Sequence, residues 1–215
     1  MKLTIVFDNV VYKKNIGLIS DWGFSCFVET GKENILFDTG SKGNILLNNL
    51  NILGIDPKRV DKIIISHEHY DHNGGLLAIL PYVNDVELYR LSDYNPENKF
   101  NLFTIDNSQK ITDTIFSTGK LEGIIEEQSL VIKGEKGFYV LVGCSHPGIE
   151  NILNSAKELG NVVGIIGGFH GFDNYSILEG LDLICPTHCT KHIKEIKKLY
   201  PDNYIEGGVG KVINI

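Results

Sequence analysis

Three histidines and an aspartate fall within six residues in the stretch Ser66-His67-Glu68-His69-Tyr70-Asp71-His72-Asn73-Gly74-Gly75, directly after the apolar run Lys62-Ile63-Ile64-Ile65. No packing requirement asks for such a cluster. Imidazole nitrogens and carboxylate oxygens are ligands for zinc, iron or manganese, so the stretch reads as a metal site. Its order excludes one familiar arrangement. A His-Glu-x-x-His run would mark a helical zinc protease site, but residue 71 is Asp. The order His67-x-His69-x-Asp71-His72 suits a loop that folds back on itself. His67 and His69 can then face one ion, and Asp71 and His72 can serve a second.

The same arrangement recurs later in the chain. His146, His170 and His188 each follow a short apolar strand pattern, and His192 comes four residues after His188. Any one of them could be an ordinary loop histidine, but together with Asp71 they point to metal. Ligands at the C-terminal ends of neighbouring strands converge on one rim of a sheet. Two divalent ions about 3.5–4 Å apart would hold a hydroxide and clamp a phosphoryl or carbonyl oxygen. A single ion would also bring the pKa of bound water to about 7. His170 or His192 could protonate a leaving group. Asp38, and less directly Asp8, could hold a ligand imidazole in one tautomer. The competing reading of Asp38 is a turn or cap carboxylate ahead of a helix. Glu68 and Tyr70 alternate with the ligands and are expected to point away into structure.

The elements that must position these residues alternate between strand and helix patterns. Strands are expected over 3–7, 24–29 and 35–37, the last two joined by a glycine turn at 30–34. Ser41 is expected to cap a helix over 42–53 that Gly54 ends. Asp56-Pro57 opens a helical turn, and residues 61–65 form a buried strand. Gly74-Gly75 let the chain turn closely under the site, and 76–80 read as helix. Residues 84–135 are less regular. They carry strand patterns at 86–90, 100–105, 110–116, 123–127 and 129–133, and form the expected specificity region. Strands at 138–142, 161–166 and 181–184 then alternate with helices at 149–159, 175–179 and 190–199, and two short strands finish the chain. Gly207-Gly208-Val209-Gly210-Lys211 lacks P-loop spacing and reads as a turn.

Composition bounds the class. The 215 residues, 42% of them hydrophobic, suffice for one large domain with a sizeable core. A formal charge of −7 argues against nucleic acid or an anionic membrane as partner. Arg59 and Arg90 are the only arginines, so few bidentate phosphate clamps exist, and lysines such as Lys42, Lys133, Lys136 and Lys191 would have to meet any phosphate. Cys26, Cys144, Cys185 and Cys189 do not form a secreted disulfide framework. Cys185 and Cys189 flank His188 and could bind metal, against a reading as small buried thiols. Cys144 could be a nucleophile, against a packing role. A reduced, cytoplasmic protein without a membrane span is expected.

At these residues the chain resembles the metallo-β-lactamase fold superfamily. The resemblance is carried by Leu36-Phe37-Asp38-Thr39-Gly40, the His67 to Gly75 motif, His146 and His188. Gly143-Cys144-Ser145-His146-Pro147-Gly148-Ile149, Gly167-Gly168-Phe169-His170 and Pro186-Thr187-His188-Cys189-Thr190 are similar to one branch, that of dihydropterin-6-methyl-4-(β-D-ribofuranosyl)aminobenzene-5′-phosphate synthase. The resemblance implies an α/β fold, a four-layer αββα sandwich forming a single domain over 1–215. It implies His67, His69 and His146 as ligands of a first ion and Asp71, His72 and His188 as ligands of a second. The ions would be divalent, with zinc foremost and iron or manganese as alternatives. Many members bridge both ions with an Asp after a late strand. This chain has Gly168-Phe169-His170 there and no Asp before Asp173. His170 is then either a ligand or a proton donor, and Asp71 and His170 are the catalytic candidates. The implied activity is metal-dependent, hydrolase-like or phosphate-displacing, on a small molecule carrying phosphate or carbonyl. In the synthase branch it would join a dihydropterin methyl diphosphate to a ribofuranosylaminobenzene phosphate and release diphosphate. A di-iron redox enzyme and a non-catalytic metal sensor are the alternatives.

Overall fold

A computed structural model describes residues 1–83 and 85–215, so Asn84, the first residue of the 84–135 segment, lies outside the described residues. The chain forms two compact units, residues 1–105 with 208–214 and residues 106–207 with 215.

The first unit is built on a mixed seven-stranded sheet. Numbered in chain order, β1 (Lys2–Phe7), β2 (Ser25–Glu29) and β3 (Asn34–Phe37) run antiparallel. β4 (Lys62–Ile64), β5 (Glu87–Arg90) and β6 (Asn101–Thr104) then continue parallel from β3. The last strand of the chain, β13 (Val212–Asn214), pairs antiparallel with β1. Every residue of β4 is buried, as a central parallel strand requires. Leu36, Ile63 and Leu88 share a core with Ile45, Leu46 and Leu50 of helix α1 (Gly43–Ile52). Truncating one of these to alanine would cost about 2–5 kcal/mol in lost transfer energy and cavity. Gly54, at φ 71°, ends α1 as expected. Its start differs: Lys42 occupies the N-cap and no side chain caps the helix, so Ser41 does not serve there. Gly43, the first residue of α1, approaches closely, since a Cβ on it would lie 2.0 Å from Ala78 Cβ. Two single-turn helices follow β4, α2 (Tyr70–Asn73) and α3 (Leu76–Ile79).

The second unit carries a mixed six-stranded sheet. β7 (Gln109–Lys110), β8 (Ile115–Ser117), β9 (Leu130–Lys133) and β10 (Phe138–Val142) are antiparallel, and β11 (Val162–Gly168) and β12 (Leu183–Thr187) continue parallel from β10. Helix α4 (Ile149–Lys157) buries Ile149, Ile152, Leu153 and Ala156, the one-face spacing of an amphipathic helix, in a core with Val140 and Ile165. Ile196 of α5 (Ile193–Leu199) joins the same core.

The strand pattern at 110–116 is split by a turn into β7 and β8, because Thr112 Oγ1 accepts the N–H groups of Thr114 and Ile115. The pattern at 123–127 makes no strand, only an isolated bridge between Leu121 and Glu127. The expected final pair reduces to β13. β12 runs on through Pro186-Thr187, so its C-terminal end comes directly before His188.

Candidate functional site

In the first unit the histidine motif leaves the end of β4 and turns through α2. Gly74 and Gly75 permit that turn: a Cβ on Gly74 would lie 2.5 Å from Ser41 O, and one on Gly75 2.2 Å from Thr39 O. The backbone is tied at Phe24 N→Asp71 O (3.2 Å) and Thr39 N→His72 O (2.7 Å). His67 and His72 are buried, with ring centroids 4.1 Å apart. His67 Nε2 lies 3.1 Å from His69 Nδ1, and His72 Nε2 lies 3.6 Å from Asp71 Oδ2. These four side chains thus gather at the end of β4, with the His67 ring nearer to that of His72 than to that of His69.

Asp38 organises the set. It is fully buried at the end of β3 with φ 56°, a left-handed conformation that Asp tolerates better than most residues. Its Oδ1 accepts the Ser66 N–H at 2.7 Å. Its Oδ2 accepts Ser66 Oγ–H at 2.8 Å and contacts His72 Nδ1 at 2.7 Å. Ser66 Oγ in turn lies 2.8 Å from His67 Nδ1. A carboxylate can only accept, so His72 carries its proton on Nδ1 and presents Nε2 as a lone pair. Of the two readings of Asp38, the imidazole-orienting one holds, and it caps no helix. Asp8 is buried at the end of β1, where it accepts the Val10 N–H at 3.2 Å.

The residues between the ligands face elsewhere. Glu68 pairs with the Arg90 guanidinium, whose Nε donates to Oε1 at 3.1 Å. Burial opposes ionisation of Glu68, but the Arg90 hydrogen bonds outweigh it and hold the carboxyl below its ordinary value. Tyr70 is exposed to solvent, not turned into structure as expected. A cleft of about 470 Å³ opens on this side, lined by Glu68, Tyr70, Asn73, Leu77, Arg90 and Tyr94. Lys42 is held by Asp21, Nζ to Oδ2 at 2.5 Å, and so is not an unengaged phosphate partner.

In the second unit the donors stand on three loops, after β10, β11 and β12. Glu127, which sequence reasoning passed over, fixes the first. It is fully buried; its Oε1 accepts the N–H groups of Gly143, Cys144 and Ser145 at 3.0, 2.9 and 3.1 Å, and its Oε2 accepts that of His146 at 2.9 Å. Successive N–H groups turned to one anion form a nest, and here the anion is internal. Ser145, at φ 62°, donates through Oγ to Gly168 O at 2.7 Å and ties this loop to the next. His146 and His170 have ring centroids 5.2 Å apart. His170 is exposed at φ 46°, and its carbonyl accepts the Lys191 N–H at 2.9 Å. His188 is buried at φ 49°. Asp173 is exposed. His192 lies 4.0 Å from Glu195 and against the Tyr175 ring.

Cys185 and Cys189 are both buried, in line with their reading as small buried thiols. Cys189 Sγ meets Cys144 Sγ at 3.3 Å, while Cys185 lies fully buried in β12. The hydrogen bond with Cys144 holds the Cys189 thiol below its usual range against the effect of burial, and His170 adds to this.

The donor chemistry fits a divalent metal. Imidazoles with one nitrogen fixed by an oxygen present the other as a lone pair, and a carboxylate and thiols stand beside them. Comparison with known proteins agrees. An uncharacterized protein of Methanocaldococcus jannaschii is 29% identical over 99% of this chain and 100% of its own length. The 7,8-dihydropterin-6-methyl-4-(beta-D-ribofuranosyl)-aminobenzene-5'-phosphate synthase of the same organism is 27% identical over 80% of this chain and 81% of its own. Among solved structures, a metal-dependent hydrolase of the beta-lactamase superfamily matches with a TM-score of 0.78 at 24% identity, over 100% of this chain and 99% of that one. That likeness shows the α/β fold of two mixed sheets with flanking helices, as the sequence led one to expect. The family profile described as the metallo-beta-lactamase superfamily matches residues 23–153, more than half of the chain, so the chain belongs to that superfamily.

Proposed function

We propose that the chain is a metal-dependent enzyme, hydrolase-like or phosphate-displacing, acting on a phosphate- or carbonyl-containing small molecule. In this reading His67, His69 and His146 hold one ion, and Asp71, His72 and His188 hold a second. The observation that carries it is the Asp38–His72 contact at 2.7 Å, both groups fully buried. A buried carboxylate that sets the tautomer of a histidine beside two further imidazoles suits ligation and has no use in packing. Divalent ions bound there would supply Lewis-acid polarisation and a nucleophile at neutral pH.

The chain's own residues do the rest. Asp38 and Ser66 fix the proton positions of His72 and His67. Glu127 holds the loop that carries His146. His170 is exposed beside His146, which suits a proton donor to a leaving group better than a buried ligand. The synthase relative supports the finer reading that the substrate is a pterin methyl diphosphate and the acceptor a ribofuranosylaminobenzene phosphate.

Elemental analysis tests the first statement, with one to two ions per chain expected and none refuting it. His67→Ala and His146→Ala should each lose metal; full retention by both removes them from the ligand set. His170→Ala should keep its metal and lose turnover, and metal loss would reverse that assignment. Release of diphosphate from the paired pterin and aminobenzene substrates tests the finer reading. Hydrolysis of phosphodiesters, lactones or thioesters without synthase turnover would replace it.

A further inference from the structure

Cys144 has surroundings that packing does not explain. It is 4% exposed, and its sulfur lies within 4.8 Å of a ring nitrogen of His146 and within the same distance of one of His188. A second sulfur, of Cys189, touches it at 3.3 Å. The backbone that aims it is held by Glu127, which accepts the Cys144 N–H at 2.9 Å. A small thiol placed only to fill space would meet apolar neighbours; this one meets two imidazoles and a thiol.

The end of β11 adds an independent observation. The superfamily resemblance leads one to expect a bridging carboxylate there, yet no side chain fits at position 168. A Cβ on Gly168 would lie 2.5 Å from Gly143 O and 2.7 Å from Cys189 Sγ. The 143–144 backbone and the Cys189 sulfur occupy that space. His170 and Asp173, further along, are exposed.

We propose that Cys144 is a thiolate ligand of the metal centre, its sulfur placed between His146 and His188 as the shared donor that the segment after β11 does not supply. This rests on the metal-centre reading above. On metal uptake the Cys144 S–H bond breaks, the proton leaves to solvent and the sulfur lone pair forms the bond to the ion, with no change of oxidation state. The Cys189 S–H then donates to the bound sulfur. A thiolate shifts the centre's preference towards zinc over manganese.

The test is to load the full chain with cobalt(II) alone and record its absorption. A thiolate-to-cobalt charge-transfer band in the near ultraviolet is expected in the wild type. It should be lost in Cys144→Ser with cobalt still bound, and kept in Cys189→Ser. Bound cobalt without the band, a band that survives Cys144→Ser, or loss of the band only in Cys189→Ser would each overturn the inference and leave the metal centre standing. No cobalt bound would remove the metal-centre reading, and this inference with it. Should Cys144→Ser not fold, X-ray absorption of the zinc-loaded wild type decides. A sulfur shell at about 2.3 Å supports the inference, and only nitrogen and oxygen at about 2.0–2.2 Å refutes it.

Discussion

Asp38→Asn is the sharpest perturbation available. Asn tolerates a left-handed backbone as well as Asp does, so φ 56° is kept and the exchange isolates the carboxylate. The Asn Oδ1 can still accept the Ser66 N–H. Its Nδ2 must then occupy the place where Oδ2 accepts Ser66 Oγ–H at 2.8 Å and meets His72 Nδ1 at 2.7 Å. Ser66 can rotate its hydroxyl and accept. His72 has no such freedom: to avoid two opposed N–H groups it must move its proton from Nδ1 to Nε2, the nitrogen proposed to bind metal. Loss of an orienting partner to a metal-ligating histidine costs about 10–100-fold in affinity, or about 1.4–2.7 kcal/mol. The assay is zinc competition against a chromophoric chelator, with circular dichroism to confirm the fold. A weaker ion should fall by that factor while the fold is kept. Affinities within about twofold of wild type for every bound ion would refute the argument that Asp38 sets the His72 tautomer.

Other outcomes follow from the same geometry. Glu127→Gln sets an NH₂ group against a backbone N–H of the 143–146 loop. It should destabilise the fold by about 1–3 kcal/mol in urea unfolding, and a change near zero would deny the nest its role. Gly75→Ala forces a Cβ against Thr39 O at 2.2 Å, a backbone atom that cannot step aside, and should cost about 1–3 kcal/mol or prevent folding. Glu68 has its carboxyl pKa lowered in the folded state by Arg90, so its stabilising effect is present above the unfolded value and is lost as pH falls through the folded one. The melting temperatures of wild type and Glu68→Gln should therefore differ at neutral pH and converge below the carboxylate range; a pH-independent gap would show that the pair acts by packing alone.

The readable parts of the sequence were those with local cause. Apolar runs marked β4, β10 and β11, the last two followed by glycine, and the unusual density of donors marked His67 to His72. The 3.6-residue spacing of Ile149, Ile152, Leu153 and Ala156 marked α4. What was missed depends on contacts distant in sequence. Ser41 looked like a cap, yet Lys42 holds the N-cap of α1, and Gly43 packs so closely on Ala78 that no side chain fits there. Asp38 left two roles open until its oxygens were seen against Ser66 and His72. Glu127 lay in a stretch read as a strand, and nothing nearby signals four amides arriving from 16 to 19 residues downstream. Cys189 stands four residues from Cys185 in sequence, while the sulfur it meets, that of Cys144, is 45 residues distant.

The grip of Glu127 on residues 143–146 has a consequence for amide exchange. These amides belong to a loop, and loop amides ordinarily exchange within easily opened local states. Here the Gly143, Cys144, Ser145 and His146 N–H groups all end on one buried carboxylate, so none can open without breaking its share of the cluster. They should exchange as a group, at rates closer to those of β10 than of a surface turn, in protein from which metal has been stripped. The histidine loop would then be as quiet before an ion arrives as after, and metal uptake would order side chains without having to order backbone.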